Sequence, residues 1–169
     1  SQEVDISVSA LHCDKQGNMW IGCYPGTAYV KKKNGGFQKL DLQGIRDINT
    51  FFENDNEMWI GTNYGICIVD KGTLRMKQCL QQSSKLVRNI VKDKLGRYWV
   101  GYYDVGIKVF SPQLKQVAAF YMDEKKNSLI PSNCINQLFV NHKGDVLAAT
   151  NNGLVRFNIN DLKHTKVYD

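Results

Sequence analysis

Three histidines, five cysteines and a knot of carboxylates are the residues of this 169-residue chain that could do acid–base, nucleophilic or metal chemistry. Acid–base catalysis needs groups that converge on one reacting atom. His12 falls in a strand-like segment beside Leu11, His142 in a polar turn, and His164 near the end of the sequence. Glu53, Asp55 and Glu57 crowd one turn and read as solvated surface, whereas a glycosidase sets two carboxylates across a cavity. Cys13, Cys23, Cys67, Cys79 and Cys134 show no metal-type pair spacing. Five is odd, so a complete internal disulfide framework is excluded. Cys13, Cys67 and Cys79 are read as free thiols inside strands, where a thiol behaves as a small hydrophobe. Neither a catalytic residue nor a metal or cofactor site is expected.

Binding chemistry remains. Tyr24, Asn63, Tyr64, Tyr102, Tyr103, Asp104, Asn151 and Asn152 combine aromatic faces with amides and a carboxylate. Aromatic rings stack on the C–H faces of sugars, and amides bind hydroxyls. The same residue types also suit ordinary turns. The elements that carry them decide what they can meet.

Those elements repeat. Met19-Trp20-Ile21-Gly22 recurs as Met58-Trp59-Ile60-Gly61, as Tyr98-Trp99-Val100-Gly101 and, weakened, as Val146-Leu147-Ala148-Ala149. The steps are 39, 40 and 48 residues, the last lengthened by an insertion around Asp123 to Pro131. Upstream of each centre lies an apolar pair three apart: Val8 and Leu11, Ile48 and Phe51, Val87 and Ile90, Ile135 and Leu138. A polar turn follows, with Gly17, Gly96 and Gly144 in three copies and Asn56 in the second. Downstream come Gly26, Gly65, Gly106 and Gly153, then short apolar runs. A fourth segment closes each unit: Phe37 to Leu40, Leu74 to Leu80, Val117 to Tyr121 and Thr165 to Tyr168.

Runs of β-branched and aromatic residues broken by Gly, Asn and Asp are strand and hairpin signals. No segment sustains a helical apolar period. Each unit is therefore a four-stranded antiparallel meander. Four meanders with one sequence pattern describe β-propeller blades, over residues 1–42, 43–81, 82–123 and 130–169. The tryptophan fills the gap between neighbouring blades, and the glycine two residues later lets backbones approach. The first strand of each blade is expected to line the axis. The turns carrying the candidate binding residues then share one mouth with the linkers near Arg46, Lys85 and Asn133.

A net charge of +6 comes from scattered lysines, with one tight run at Lys31 to Lys33 and a pair at Lys125 and Lys126. This is the pattern of a solvated surface, and a nucleic-acid partner is not expected. No stretch approaches the roughly twenty apolar residues of a membrane span. Ser1 to Ile6 carries no export signal, as expected of a mature or excised piece.

The unit resembles the two-component-regulator propeller repeat. The likeness is clearest across Asn127-Ser128-Leu129-Ile130-Pro131-Ser132-Asn133-Cys134-Ile135, then through Gly144, Thr150-Asn151-Asn152-Gly153-Leu154 and Phe157. Cys23 and Tyr102 depart from the family's threonine, Leu147 from its tryptophan and Ala149 from its glycine. The resemblance implies an extracytoplasmic, periplasmic sensor of a hybrid histidine kinase of the Bacteroidetes type, responding to glycan fragments and regulating polysaccharide utilisation. It also implies further blades, in rings of seven, so the four here are expected to form an arc. An arc leaves apolar faces bare at its ends, and a homo-oligomer is expected, with two arcs completing a ring. A four-bladed closed ring is the alternative. A protein–protein scaffold and a propeller lyase or glycosidase are the competing functions.

Overall fold

A computed structural model describes residues 7–42, 44–81, 85–123, 130–162 and 165–168. Lys125, Lys126, His164 and most of the Asn127-to-Ile135 linker's first half (residues 127–129) lie outside the described residues.

Sixteen strands follow in chain order. The first four are β1 (Ser7–Cys13), β2 (Met19–Tyr24), β3 (Thr27–Lys31) and β4 (Phe37–Leu40). The second set is β5 (Ile48–Asn54), β6 (Glu57–Thr62), β7 (Gly65–Asp70) and β8 (Met76–Gln81). The third is β9 (Val87–Lys92), β10 (Tyr98–Tyr102), β11 (Ile107–Phe110) and β12 (Gln116–Phe120). The fourth is β13 (Ile135–Val140), β14 (Val146–Thr150), β15 (Gly153–Phe157) and β16 (Thr165–Tyr168). Each set forms its own antiparallel sheet with its strands in sequential order. The chain is all-β, and its sheets are β-propeller blades.

Two compact units contain two sheets each, Ser1–Leu86 and Val87–Asp169. In the first, Trp20, Val30 and Leu40 of one sheet pack against Ile48, Phe51, Met58 and Ile60 of the next. In the second, Trp99, Ile107 and Val109 pack against Ile135, Leu138, Ala148, Val155 and Phe157. Trp20 and Trp99 do fill the gap between the sheets of their units. Trp20 meets Phe51 at 6.3 Å between ring centroids, and Trp99 meets Phe157 at 5.3 Å. At Gly22 and Gly101 there is a close approach, but it is made by a side chain of the next sheet and not by its backbone. A Cβ on Gly22 would stand 2.5 Å from Cγ2 of Ile48, and one on Gly101 2.7 Å from Cγ2 of Ile135.

A recurring polar device holds the tryptophan. The Asp14 carboxylate accepts from the Trp20 indole (2.9 Å) and from the amides of Gln16 (3.1 Å) and Asn18 (2.8 Å). Asp93 repeats this with Trp99 (2.8 Å), Leu95 (2.9 Å) and Arg97 (3.0 Å). One side chain thus closes the turn and satisfies a buried indole that would otherwise lose a hydrogen bond. In the fourth copy the turn residue is Asn141 and the ring has become Leu147, so carboxylate and indole disappear together.

Two local expectations change. The shortened second turn takes its left-handed residue at Asp55 (φ 51°), not at Asn56. The strand expected from Leu74 begins at Met76, because Leu74 itself turns left-handed (φ 56°) and ends the hairpin loop.

Candidate functional site

In every sheet the first strand pairs with the second through a β-bulge. The register skips Ser9, Asn49, Arg88 and Asn136, each following the first apolar anchor of its strand, which is buried at Ile48, Val87 and Ile135 and exposed at Val8. A bulge re-aims the extra residue and bends the strand. The anchors pair with Cys23, Thr62, Tyr102 and Thr150, so each skipped residue lies near the residue that follows that partner. Those residues are Tyr24, the last of β2, and the turn residues Asn63, Tyr103 and Asn151, four of the candidates from the sequence.

Threonine shapes the turn where it is present. The Thr62 hydroxyl donates to the Gly65 carbonyl (2.9 Å) and accepts from the Tyr64 amide (3.0 Å). Thr150 does the same with Gly153 (2.9 Å) and Asn152 (3.2 Å).

The bulge residues meet these turns in different ways. The Arg88 guanidinium lies 5.0 Å from the Tyr103 ring centroid. The Asn136 amide donates to Oδ1 of Asn151 at 3.0 Å. The Ser9 hydroxyl donates instead to the Ile48 carbonyl of the next sheet, at 2.6 Å. In the second sheet, Nδ2 of Asn49 and Oδ1 of Asn63 are buried with no protein partner. The bulge residues were not singled out in the sequence. Their signal was there: a polar residue directly after the first apolar anchor in all four copies.

Exposure sorts the aromatic candidates. Tyr24 (58%), Tyr103 (49%) and Tyr64 (45%) are exposed, but Tyr102 is only 1% exposed. Tyr102 is therefore a core residue in place of the turn threonine, not a rim contact. Burial pushes its phenol pKa strongly up, keeping it neutral. Asp104, Asn151 and Asn152 are exposed. Asn152 is partly committed, since its amide donates to the Pro131 carbonyl at 3.3 Å. Of the linker residues, Arg46 is exposed and Lys85 half-buried. Asn133 acts as a staple, accepting from the Met122 amide (2.7 Å) and donating to its carbonyl (3.4 Å). Turns and linkers do share an end within the second unit: the Gly106 amide donates to the Asn133 carbonyl (2.9 Å) and the Asn151 amide to Cys134 (3.3 Å).

The opposite end of the first unit corrects the sequence reading of Glu53. Its side chain is 8% exposed and pairs with the buried Lys71 ammonium. It also accepts from the Lys15 amide (3.2 Å) and stands 3.6 Å from His12 Nε2. Lys71 donates as well to Gln16 at 2.8 Å. Burial raises the Glu53 carboxyl pKa, but Lys71, Lys15 and His12 outweigh it and hold it below the ordinary 4.5. An ionised carboxylate tied by several donors makes an inter-sheet clamp. It is a poor proton acceptor.

The cysteine reading is corrected too. Cys67 and Cys79 are directly paired across β7 and β8 and form a disulfide, with Cα atoms 4.2 Å apart. Adjacency across an antiparallel pair was invisible in a spacing of 12 residues. Cys13, Cys23 and Cys134 are free, and Cys13 is exposed instead of buried.

Residues 3–24 match the family model of the two-component regulator propeller. The chain aligns with the extracellular domain of a hybrid two-component system from B. thetaiotaomicron at 26% identity and a TM-score of 0.83, over 96% of this chain and 23% of that one. A second such domain from that organism aligns at 20% identity and a TM-score of 0.80, over 98% of this chain and 22% of that one. Virginiamycin B lyase from Staphylococcus aureus shares the fold alone, at 13% identity and a TM-score of 0.75, over 99% of this chain and 57% of that one. The chain thus spans less than a quarter of both of these extracellular domains. No curated protein matches it.

Proposed function

We propose that this chain, a run of two-component-regulator propeller repeats, is an extracytoplasmic ligand-sensing segment of a hybrid two-component signalling protein. The observation that carries this reading is the 26% identity, over 96% of the chain, to the extracellular domain of such a system. In our reading the location is periplasmic. The Cys67–Cys79 disulfide supports an oxidising compartment, because such bonds persist outside the cytosol.

The ligand in this reading is a glycan fragment, and the output is regulation of polysaccharide utilisation. Exposed tyrosines beside amide-bearing turns suit sugar rings and their hydroxyls. In this reading the segment binds and does not catalyse: among the described residues Glu53 is committed to Lys71, Glu57 to Lys77 and Asp93 to Arg97. A thermal-shift screen of the complete sensor against an oligosaccharide panel tests this. Stabilisation by at least one sugar is expected, and a flat response across the panel would favour a protein-binding scaffold instead.

We also propose self-association through the outer face of the first sheet. Val8 (55%) and Leu11 (63%) are exposed there, while the matching Ile48 (0%) and Phe51 (9%) of the second sheet are covered by the first. Light scattering at micromolar concentration should report an oligomer, with two arcs completing a ring; a monomer overturns this.

A further inference from the structure

The second and fourth sheets carry the same pair of asparagines at the same place. Ile48 pairs with Thr62, and Asn49 and Asn63 are the next residues of their strands. Ile135 pairs with Thr150, and Asn136 and Asn151 are the next residues of theirs. In the fourth sheet the two amides satisfy each other at 3.0 Å. In the second they do not. Nδ2 of Asn49, a donor, and Oδ1 of Asn63, an acceptor, are both buried and both lack a protein partner. A buried amide group left unpaired costs free energy comparable to a lost hydrogen bond. The two atoms are of complementary type, one a donor at the bulge and the other an acceptor in the turn that follows the paired strand.

We propose that Asn49 and Asn63 form a binding site for a neutral hydroxyl of a saccharide ligand. A hydroxyl accepts and donates at once, so one oxygen takes the Asn49 N–H and gives its own proton to Oδ1 of Asn63. Both protein groups are uncharged, which suits a neutral hydroxyl better than a carboxylate or an ammonium. Tyr64 follows Asn63 in the same turn and is 45% exposed, offering a ring face for the sugar that carries the hydroxyl. The fourth sheet, with its amides already paired, has no such vacancy in its bonding. This site rests on the carbohydrate reading above and locates it in the second sheet.

The test is calorimetric titration of the complete chain with neutral xylo-, arabino-, manno- and galacto-oligosaccharides. The sugar bound by the unaltered chain should bind about tenfold more weakly to Asn49→Ala and to Asn63→Ala. Gln113→Ala, an exposed turn residue of the other unit, should keep the original affinity. Unchanged affinity in both asparagine variants overturns this site and leaves carbohydrate sensing standing. No binding of any sugar by the unaltered chain overturns the site, and a flat response of the complete sensor to the same panel overturns both. Should the variants fold poorly, the Asn49 side-chain amide resonance of the unaltered chain decides: it must shift as sugar is added, and a resonance unmoved at saturation overturns the site.

Discussion

In the first unit, His12, Glu53 and Lys71 meet between the two sheets. At the matching repeat positions the second unit has Val91, Val140 and Ile159, which join its apolar core. The correspondence is one of register. His12 pairs with Trp20 as Val91 pairs with Trp99, and Glu53 pairs with Met58 as Val140 pairs with Val146. The same place in the fold is therefore closed by ions in one unit and by hydrocarbon in the other. Charges removed from water recover that cost only through close pairing and further hydrogen bonds. Glu53 and Lys71 have both, with Lys15 and Gln16 as extra partners. The second unit needs no such compensation and adds aromatic packing, with Trp99 stacked on Phe120 at 5.8 Å between centroids.

The largest effect should come from removing that packing. Trp99→Ala is expected to cost the second unit about 3–5 kcal/mol. Denaturant unfolding followed by hydrogen exchange should place the loss in β9 to β15, leaving β1 to β8 protected. Uniform loss across both units would break the comparison, since each would no longer stand on its own core.

Breaking the ionic clamp should cost slightly less. Lys71→Ala strands a buried carboxylate and is expected to destabilise the first unit by about 3 kcal/mol. Copying the other unit's solution should not. His12→Val, Glu53→Val and Lys71→Ile together are expected to be neutral, or to stabilise by about 1–4 kcal/mol. A triple variant as unstable as Lys71→Ala would show that the clamp does more than its hydrophobic counterpart.

Acid should produce the smallest effect. The Glu53 carboxyl is held below 4.5 and that of Asp14 below 3.8 by their native partners. Folded-state pKa values that are depressed stabilise the fold above the ordinary values, and that stabilisation drains away as pH falls through the native ones. Exchange protection in β1 to β8 should therefore fall before that of β9 to β15 between pH 5 and pH 3, a range set by ordinary carboxylate values of about 4. The opposite order would exclude Glu53 as the acid-sensitive clamp.

Much of this molecule was legible in the residues. The tryptophan-centred repeat, the strand edges within a residue or two and the glycine approach all follow from local pattern, because a strand's period and a turn's φ are set by neighbours in the chain. Some of the rest was readable but needed the copies to be compared: His12, Glu53 and Lys71 stand where the second unit has Val91, Val140 and Ile159, and Asp14 and Asp93 appear only where a tryptophan follows six residues later.

Other features belonged to tertiary structure alone. Whether Cys67 faces Cys79, whether Tyr102 turns inward while Tyr103 turns outward, and whether an asparagine pair closes on itself or stays open depend on cross-strand register at a bulge. A bulge shifts which side chains meet by one residue, and a single residue decides between the core and the rim. Composition and spacing fix the sheet. The meeting of side chains across it is settled only when the strands lie side by side.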